Sequence, residues 1–536
     1  VVALVLAPVL LGVALYKLPS ALAAVLALAG QAGIAAGVVA LFLRAYHEGP
    51  FVEVLGGTDH LLHVSLRGDR TALALAAVTV LLFAAALVYC LREPFRDNKL
   101  LLLLLVLQGL AVGIFLADDV FTLFVLFEVA TLVGILLLMF RRDRRSTYDG
   151  LYYLTIQIVA MMFFLFGVAY LYRTFGVLSV TELSLLVERG VDGRAMVLPA
   201  AFLLTGIGPK AGFFPLFSYV PRSYANPGAP TAVLMLLSGV LVNGALFWFA
   251  RLGALFAPAI DLSGFLLVVG LATGVAGAVK ALAQRDLRLI LAYSTVSQAG
   301  LITLGLASGG LTAHGGGMFH LVSHALLKSV LFLTAGLIAS VYGTTRIDRI
   351  RGVARRMPVV AVVTAVAVLG MVGAPFTAAG ASKDLILSGV SGTWVEAAVW
   401  VVNLGTALVF ARYAVMLFGR PDGEAAVRAG ERAGRVQTGV VVALAAVCVA
   451  VGVAAPQVAG LLGVPAPSGL SLSKALGFLA TVAGAVVVVR YGAPFVRRLR
   501  ALVVPTLSLP YAVLALTVFF VAAAGYGTLV TAGGAG

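Results

Sequence analysis

Runs of about twenty apolar residues, separated by short polar or Gly/Pro-rich connections, recur along the whole chain. Sixteen stand out, at roughly 1–16, 20–43, 72–91, 100–117, 120–140, 151–172, 195–219, 230–250, 262–283, 287–307, 314–342, 358–390, 394–418, 437–461, 474–489 and 508–530. A helix crosses a bilayer with about 20 apolar residues, so each run is read as a span. The first has the length of a secretion signal, but its nearest charge, Lys17, follows the apolar stretch instead of preceding it. The expected fold class is an all-α polytopic membrane protein with about 14–16 transmembrane helices.

Composition agrees: of 536 residues 62 % are hydrophobic and 11 % charged, and the mean hydropathy is +1.09. Soluble globular chains carry about 25 % charged residues, so that class is excluded. The formal charge of +15 would raise nucleic acid in a soluble domain, but here the basic residues sort by side of the membrane. Connections after odd-numbered segments hold 24 Lys and Arg, including Arg92, Arg96, Arg141, Arg142, Arg346, Arg355, Arg428, Arg432, Arg497, Arg498 and Arg500; those after even-numbered segments hold 8. Basic residues accumulate on the cytoplasmic side. The expectation is a multi-pass protein of the cell membrane with both termini outside, bound by lipid and not by nucleic acid.

Five basic residues, Lys210, Lys280, Lys328, Lys383 and Arg412, fall inside the apolar segments. A charge at the centre of a span costs about 2.5–3.5 kcal/mol on insertion scales, so each needs a reason. Lys280 lies near Arg285 and Arg288, within reach of the interface. Arg412 sits near a segment end, where it ties helices or serves transport. Asp118 and Asp119 are expected to cap the outer start of the fifth span in contact with water. Glu128 lies deep in VFTLFVLFEVATLVGILLLMF and calls for a partner. Lys210 is the natural one, in a segment crowded by Gly206, Gly208, Pro209, Gly212 and Pro215 that is expected to break. At about 4 Å and an effective dielectric near 20 the two would interact by about 4 kcal/mol, enough to switch a lysine between holding and releasing a proton; a static buried ion pair is the alternative.

The eleventh segment carries His320, His324 and Lys328 every four residues, on one helical face. The histidine spacing also suits two metal ligands, but the lysine would repel a cation, so a proton wire fits better than zinc. Cys90 and Cys448 sit in apolar runs and suggest neither a disulfide nor a ligated cluster. No metal, haem, iron–sulfur, flavin or nucleotide motif is legible, so no cofactor is assigned. In the twelfth segment Gly373, Pro375 and Gly380 precede Lys383, and Asp384 adjoins it. Two Gly/Pro-interrupted segments with central lysines, five spans apart, are the mark of inverted repeats with the site at the broken helices. The divisions expected are 1–94 (spans one to three), 95–255 and 256–420 (two inverted five-helix repeats with helices 7 and 12 broken), and 421–536 (C-terminal spans).

The stretches FVLFEVATL, PKAGFFPLFSYVPRSYANPGAPTAVLM, QRDLRLILAYSTVSQAG, HLVSHALLKSVLFLTAG and RRMPVVAVVTAV leading to GASKDLI resemble the antiporter-like subunits of respiratory complex I, Mrp-type cation/proton antiporters and energy-converting hydrogenases. The resemblance covers roughly residues 95–420. It implies proton translocation by a subunit of a multisubunit membrane complex, beside related antiporter-like subunits. Glu128 and Lys210 match the switching pair, His320, His324 and Lys328 the central relay, and Lys383 the exit residue. Where the family places a lysine or histidine in the eighth span, this chain has Asn243. Asn243, Ser294, Ser297 and Asp384 are candidate relay or water-chain groups. Redox chemistry or a cation gradient would drive the step from elsewhere, since this chain carries no redox centre of its own. A free-standing secondary transporter and a structural subunit without transport, the latter suggested by Asn243, remain open.

Overall fold

The computed structural model describes residues 1–55, 64–91, 97–420, 434–469, 471–492 and 507–533. The loop arginines Arg92, Arg96, Arg428, Arg432, Arg497, Arg498 and Arg500 lie outside them. In chain order the helices are α1 (Val2–Leu15), α2 (Ser20–Glu48), α3 (Arg70–Cys90), α4 (Asn98–Leu116), α5 (Val120–Leu138), α6 (Arg144–Phe175), α7 (Val180–Glu188), α8 (Gly193–Ala211), α9 (Val220–Tyr224), α10 (Thr231–Leu236), α11 (Val242–Phe256), α12 (Ser263–Ala283), α13 (Leu287–Ala307), α14 (Leu311–Tyr342), α15 (Val353–Arg356), α16 (Pro358–Val372), α17 (Ala378–Gly389), α18 (Trp394–Ala414), α19 (Arg435–Val453), α20 (Ala455–Leu462), α21 (Leu472–Tyr491) and α22 (Leu509–Gly533). Among the described residues thirteen helices, counting Thr231–Phe256 as one, are long and apolar enough to cross a membrane. The other three predicted spans are α1, the Lys210-bearing α8, and the pair α16–α17. The chain is an all-α polytopic membrane protein. One element had no hydrophobic signal: strands β1 (Phe51–Leu55) and β2 (Val64–Gly68) pair antiparallel between α2 and α3.

Helix starts follow their local chemistry. Asp69, Asp97, Asp119, Asp143, Asp192 and Asp286 each stand at an N-cap and accept from a backbone N–H of the first turn. Asp118 and Asp119 nevertheless depart from expectation, being 0 % and 3 % exposed. Asp118 accepts from Ser179 Oγ (2.7 Å) and Thr181 Oγ1 (2.7 Å). Asp119 accepts from the Thr122 and Ser65 N–H groups, and burial raises its carboxyl above the usual range. These side chains lace together the loops at this end of the bundle. A backbone bridge joins Asp119 to Ser179, and another joins Asp286 to Arg346, each pair displaced by the same 167 positions.

Segments seven and twelve break as expected, at positions set by glycine. Pro199 and Pro209 are both accommodated inside α8, which ends only at Gly212, with φ +75°. A left-handed residue there satisfies the terminal carbonyls of Gly208 and Pro209. The twelfth segment stops at Gly373, with φ +103°, and resumes after Pro375 and Phe376 with the Thr377 side chain capping α17. Between α10 and α11, Leu237–Leu241 form a π-helical turn that the sequence pattern did not announce.

Packing centres on α13 and α14, both almost wholly buried, while α2, α21 and α22 are peripheral. α12 and α13 meet backbone to backbone. A Cβ on Gly300 would fall 2.2 Å from Gly274 N and 2.5 Å from Gly270 O, and one on Gly277 2.3 Å from Ser297 N. Small residues at four-residue spacing permit that approach in a membrane, where dispersion must replace the hydrophobic drive. Gly300→Val should therefore wedge the pair apart. A destabilisation of about 1–3 kcal/mol is expected from such overpacking, read as a lowered melting point of the purified protein in detergent; an unchanged melting point would contradict this contact.

Candidate functional site

The three buried lysines and two histidines occupy the middle of the helix bundle, and the structure shows what each touches. Lys210, 7 % exposed, ends α8. Its Nζ donates to Thr131 Oγ1 at 2.8 Å and lies 5.2 Å from the Phe127 ring centre. Glu128, one turn from Thr131 on α5, is half-buried, and its Oε1 has no hydrogen-bond partner. The expected Glu128–Lys210 contact at about 4 Å is thus not formed. Thr131, one turn along α5, takes the ammonium instead, because its own hydroxyl is already turned inward to the Phe127 carbonyl.

The eleventh-segment residues lie on α14, fully buried. Lys328 Nζ donates to Leu291 O (3.0 Å) and to Ser294 Oγ, and sits 5.8 Å from the Phe410 ring. His324 Nδ1 faces Asn243 Oδ1 at 3.0 Å, while Asn243 Nδ2 donates to Leu321 O at 2.7 Å. Asn243 therefore joins α11 to α14 as a fixed amide. Since its oxygen can only accept, Nδ1 of His324 carries the proton, leaving Nε2 as a buried acceptor with no protein partner. His320 is held from both sides, with Nδ1 2.7 Å from Ser382 Oγ and Nε2 2.9 Å from Gln298 Oε1. Gln298 Nε2 in turn donates to Thr406 Oγ1 (2.9 Å). The partners assign neutral His320 as the Nε2–H tautomer, opposite to His324.

Lys383, 4 % exposed and next to Ser382, donates from α17 to Met371 O at 2.7 Å, the carbonyl near the C-terminal end of α16. Among the described residues none of the three lysines has a carboxylate within 4 Å. Asp384 points away, toward the C-terminal helices, and pairs with Lys474. Ser294 meets Lys328; the Ser297 hydroxyl is buried and finds no partner. Arg412 donates to Leu282 O and Gln284 O, tying α18 to the end of α12. Lys280 is half-buried, 5.8 Å from both the Phe217 and Tyr293 rings, and so lies against aromatic faces. Two groupings result: Lys210 with Thr131 and Glu128, and a file along α14 in which Lys328, His324 and His320 each hold their own partners, with Ser382 beside Lys383 at its end.

The sequence pattern of the NADH:quinone oxidoreductase/Mrp antiporter transmembrane family matches residues 117–409, the stretch that holds both groupings. The chain belongs to this family. NADH-quinone oxidoreductase subunit N of Desulforudis audaxviator (strain MP104C) is 32 % identical over 397 residues, 72 % of this chain and 78 % of that protein. A Na(+)/H(+) antiporter subunit of Alkalihalophilus pseudofirmus is 30 % identical over 266 residues, 49 % of this chain and 53 % of that one. In the structure of the Mrp complex from Dietzia sp. DQ12-45-1b, one chain shares the fold, with TM-score 0.78 at 22 % identity over 93 % of this chain and 99 % of that chain.

Within the family stretch, sequence reasoning missed Thr131, Gln298, Ser382 and Thr406. Gln298 follows Ser294 by four residues, so a polar stripe on α13 was a signal that could have found it. Ser382 adjoins Lys383. Thr131 and Thr406 carry no signal, since threonine commonly bonds its own helix. Among the described residues no group of three or more His, Cys, Asp or Glu side chains is placed to hold a metal ion. The geometry sets a spectroscopic expectation: ¹⁵N NMR of histidine-labelled protein should show the neutral rings of His320 and His324 as opposite tautomers, with Ser382→Ala perturbing His320 alone. Identical tautomers for the two rings would refute the assignment.

Proposed function

We propose that this chain is a proton-translocating, antiporter-like subunit of a multisubunit membrane complex. Protons are taken up near Glu128 and Lys210, pass along Lys328, His324 and His320, and leave by way of Lys383. The observation that carries this reading is the set of three buried lysines held by hydroxyls and carbonyls, none of them with a carboxylate within 4 Å among the described residues. A lysine placed only for structure would be expected to hold a counter-charge, because breaking or omitting the pair in low dielectric is costly. A lysine that exchanges protons needs neutral partners that accept from either form. Thr131 and Ser294 supply such partners to Lys210 and Lys328, and Ser382, Gln298 and Asn243 do the same for the histidines, each able to pass or orient a proton without keeping it.

Two inverted repeats, 95–255 and 256–420, organise the route. Their support is the repeated bridge, Asp119 to Ser179 and Asp286 to Arg346, at one constant offset. The excess of basic residues after odd-numbered spans favours termini on the outer side of the cell membrane. Both named relatives are subunits, which favours membrane partners here. An apolar stripe on α5, Phe121, Val125, Val129, Leu132 and Leu136, is exposed beside half-buried Glu128 and offers such a partner a flank.

Lys210→Ala and Glu128→Ala are each expected to abolish coupled ion movement in membrane vesicles while the complex still assembles, as judged by co-purification of its subunits. Translocation retained at the wild-type rate in either variant would remove the route, and would favour a purely structural role in the complex.

A further inference from the structure

Where the twelfth segment breaks, the helices enclose a cavity of about 510 Å³. Its inner wall holds Lys383 and the unpartnered Asn403 Oδ1; its mouth holds Asp384, Ser468 and Lys474. Lys383, Asp384 and Lys474 are the titratable groups on this lining. Lys474 comes from α21, beyond the stretch that defines the family. Its Nζ lies 2.8 Å from Asp384 Oδ1 and 2.9 Å from Oδ2, and donates to Ser468 Oγ at 2.5 Å; Ser468 Oγ donates to Asp384 Oδ2 at 2.6 Å. The three groups form a closed ring at the polar part of the rim, the rest of which is apolar and exposed at Phe376, Trp400 and Val453. Lys383 is 4 % exposed, whereas the Asp384 and Lys474 side chains are 23 % and 36 % exposed. A buried ammonium and a partly exposed ion pair thus line one cavity.

We propose that Lys474 is a positioning residue that gates this mouth, an inference that rests on the outward route through Lys383. With the pair closed, both Asp384 oxygens are occupied and the ammonium opposes any cation arriving from outside. When Lys474 swings away, Asp384 faces the cavity. Lys383 then gives its proton to water in the cavity, an N–H bond breaking as an O–H bond of hydronium forms; the hydronium passes that proton to an Asp384 oxygen, and Lys383 is left neutral. Asp384 next gives the proton to outside water and takes back Lys474. The lysine stem, attached to a peripheral helix and to a Ser468–Gly469 turn whose carbonyls it also meets at 3.4 and 3.3 Å, can make that swing without disturbing α14.

The test uses the assembled complex in membrane vesicles, measuring coupled proton transport and, after the driving reaction is stopped, passive proton back-leak. Lys474→Gln is expected to raise the back-leak about fivefold, equivalent to about 1 kcal/mol of lost barrier for a partly exposed charge. Lys474→Arg should restore it, and adding Lys383→Ala to Lys474→Gln should abolish the extra leak. Ser468→Ala, a loop substitution, should raise the leak in the same direction and serves if Lys474→Gln fails to assemble. Wild-type leak in Lys474→Gln, or in Ser468→Ala where that variant must stand in, overturns the gate; the route survives if Lys383→Ala still stops transport. Normal transport in Lys383→Ala overturns both.

Discussion

Inside hydrocarbon a polar group has no water to fall back on, and one left without a partner costs several kcal/mol. The arrangement of this bundle follows from that constraint. Its buried amides, hydroxyls, imidazoles and ammonium groups lie on the faces that α8, α11, α13, α14 and α17 turn toward one another. α13, α14 and the α10–α11 span are consequently the most buried helices, and the mostly apolar α2 and α22 stand outside. The close glycine contact of α12 with α13 belongs to the same logic. It presses α13 inward so that Ser294 and Gln298 reach Lys328 and His320.

The helix breaks serve the same end. Terminal carbonyls of a helix lack intrahelical donors and carry partial negative charge. Lys383 donates to Met371 near the end of α16, and Arg412 donates to Leu282 and Gln284 at the end of α12. Interrupting the twelfth span thus supplies Lys383 with an acceptor that no apolar side chain could provide. Unlike a carboxylate, a carbonyl bears no full charge to trap the lysine proton. A cation is tolerated there without being fixed.

The spans, the two interrupted segments and the buried charges were legible in the sequence, because each shows in local hydrophobicity, in Gly and Pro placement, or in a titratable residue where none is cheap. What escaped depends on contacts between distant residues. Thr131 lies 79 positions from Lys210, and Ser382 lies 62 from His320. No local pattern tells that a threonine will stand where a carboxylate was expected. The break after α8 shows a similar limit. Pro209 marks a missing donor, but the helix continues past it because Gly212 offers the left-handed turn three residues later. Burial of Asp118 and Asp119 depended on Ser179 and Thr181 folding back over them, some sixty residues downstream.

The two halves also differ in chemistry. The offset that relates Asp119 to Asp286 carries Glu128 onto Thr295, whose hydroxyl instead meets Ser238 in the π-helical turn at 2.7 Å. The first half therefore has an intramembrane carboxylate beside its lysine, and the second has only hydroxyls at the corresponding place. Lys210 sits before its helix break and Lys383 after its own. A route needs a group that can hold negative charge wherever a proton must be handed on against the field of a lysine. On the proposed route that group in the second repeat is Asp384, and the cation paired with it comes from α21. The C-terminal helices would thus complete on that route what Glu128 provides within the first repeat, which gives the segments beyond the family stretch a chemical reason to pack where they do.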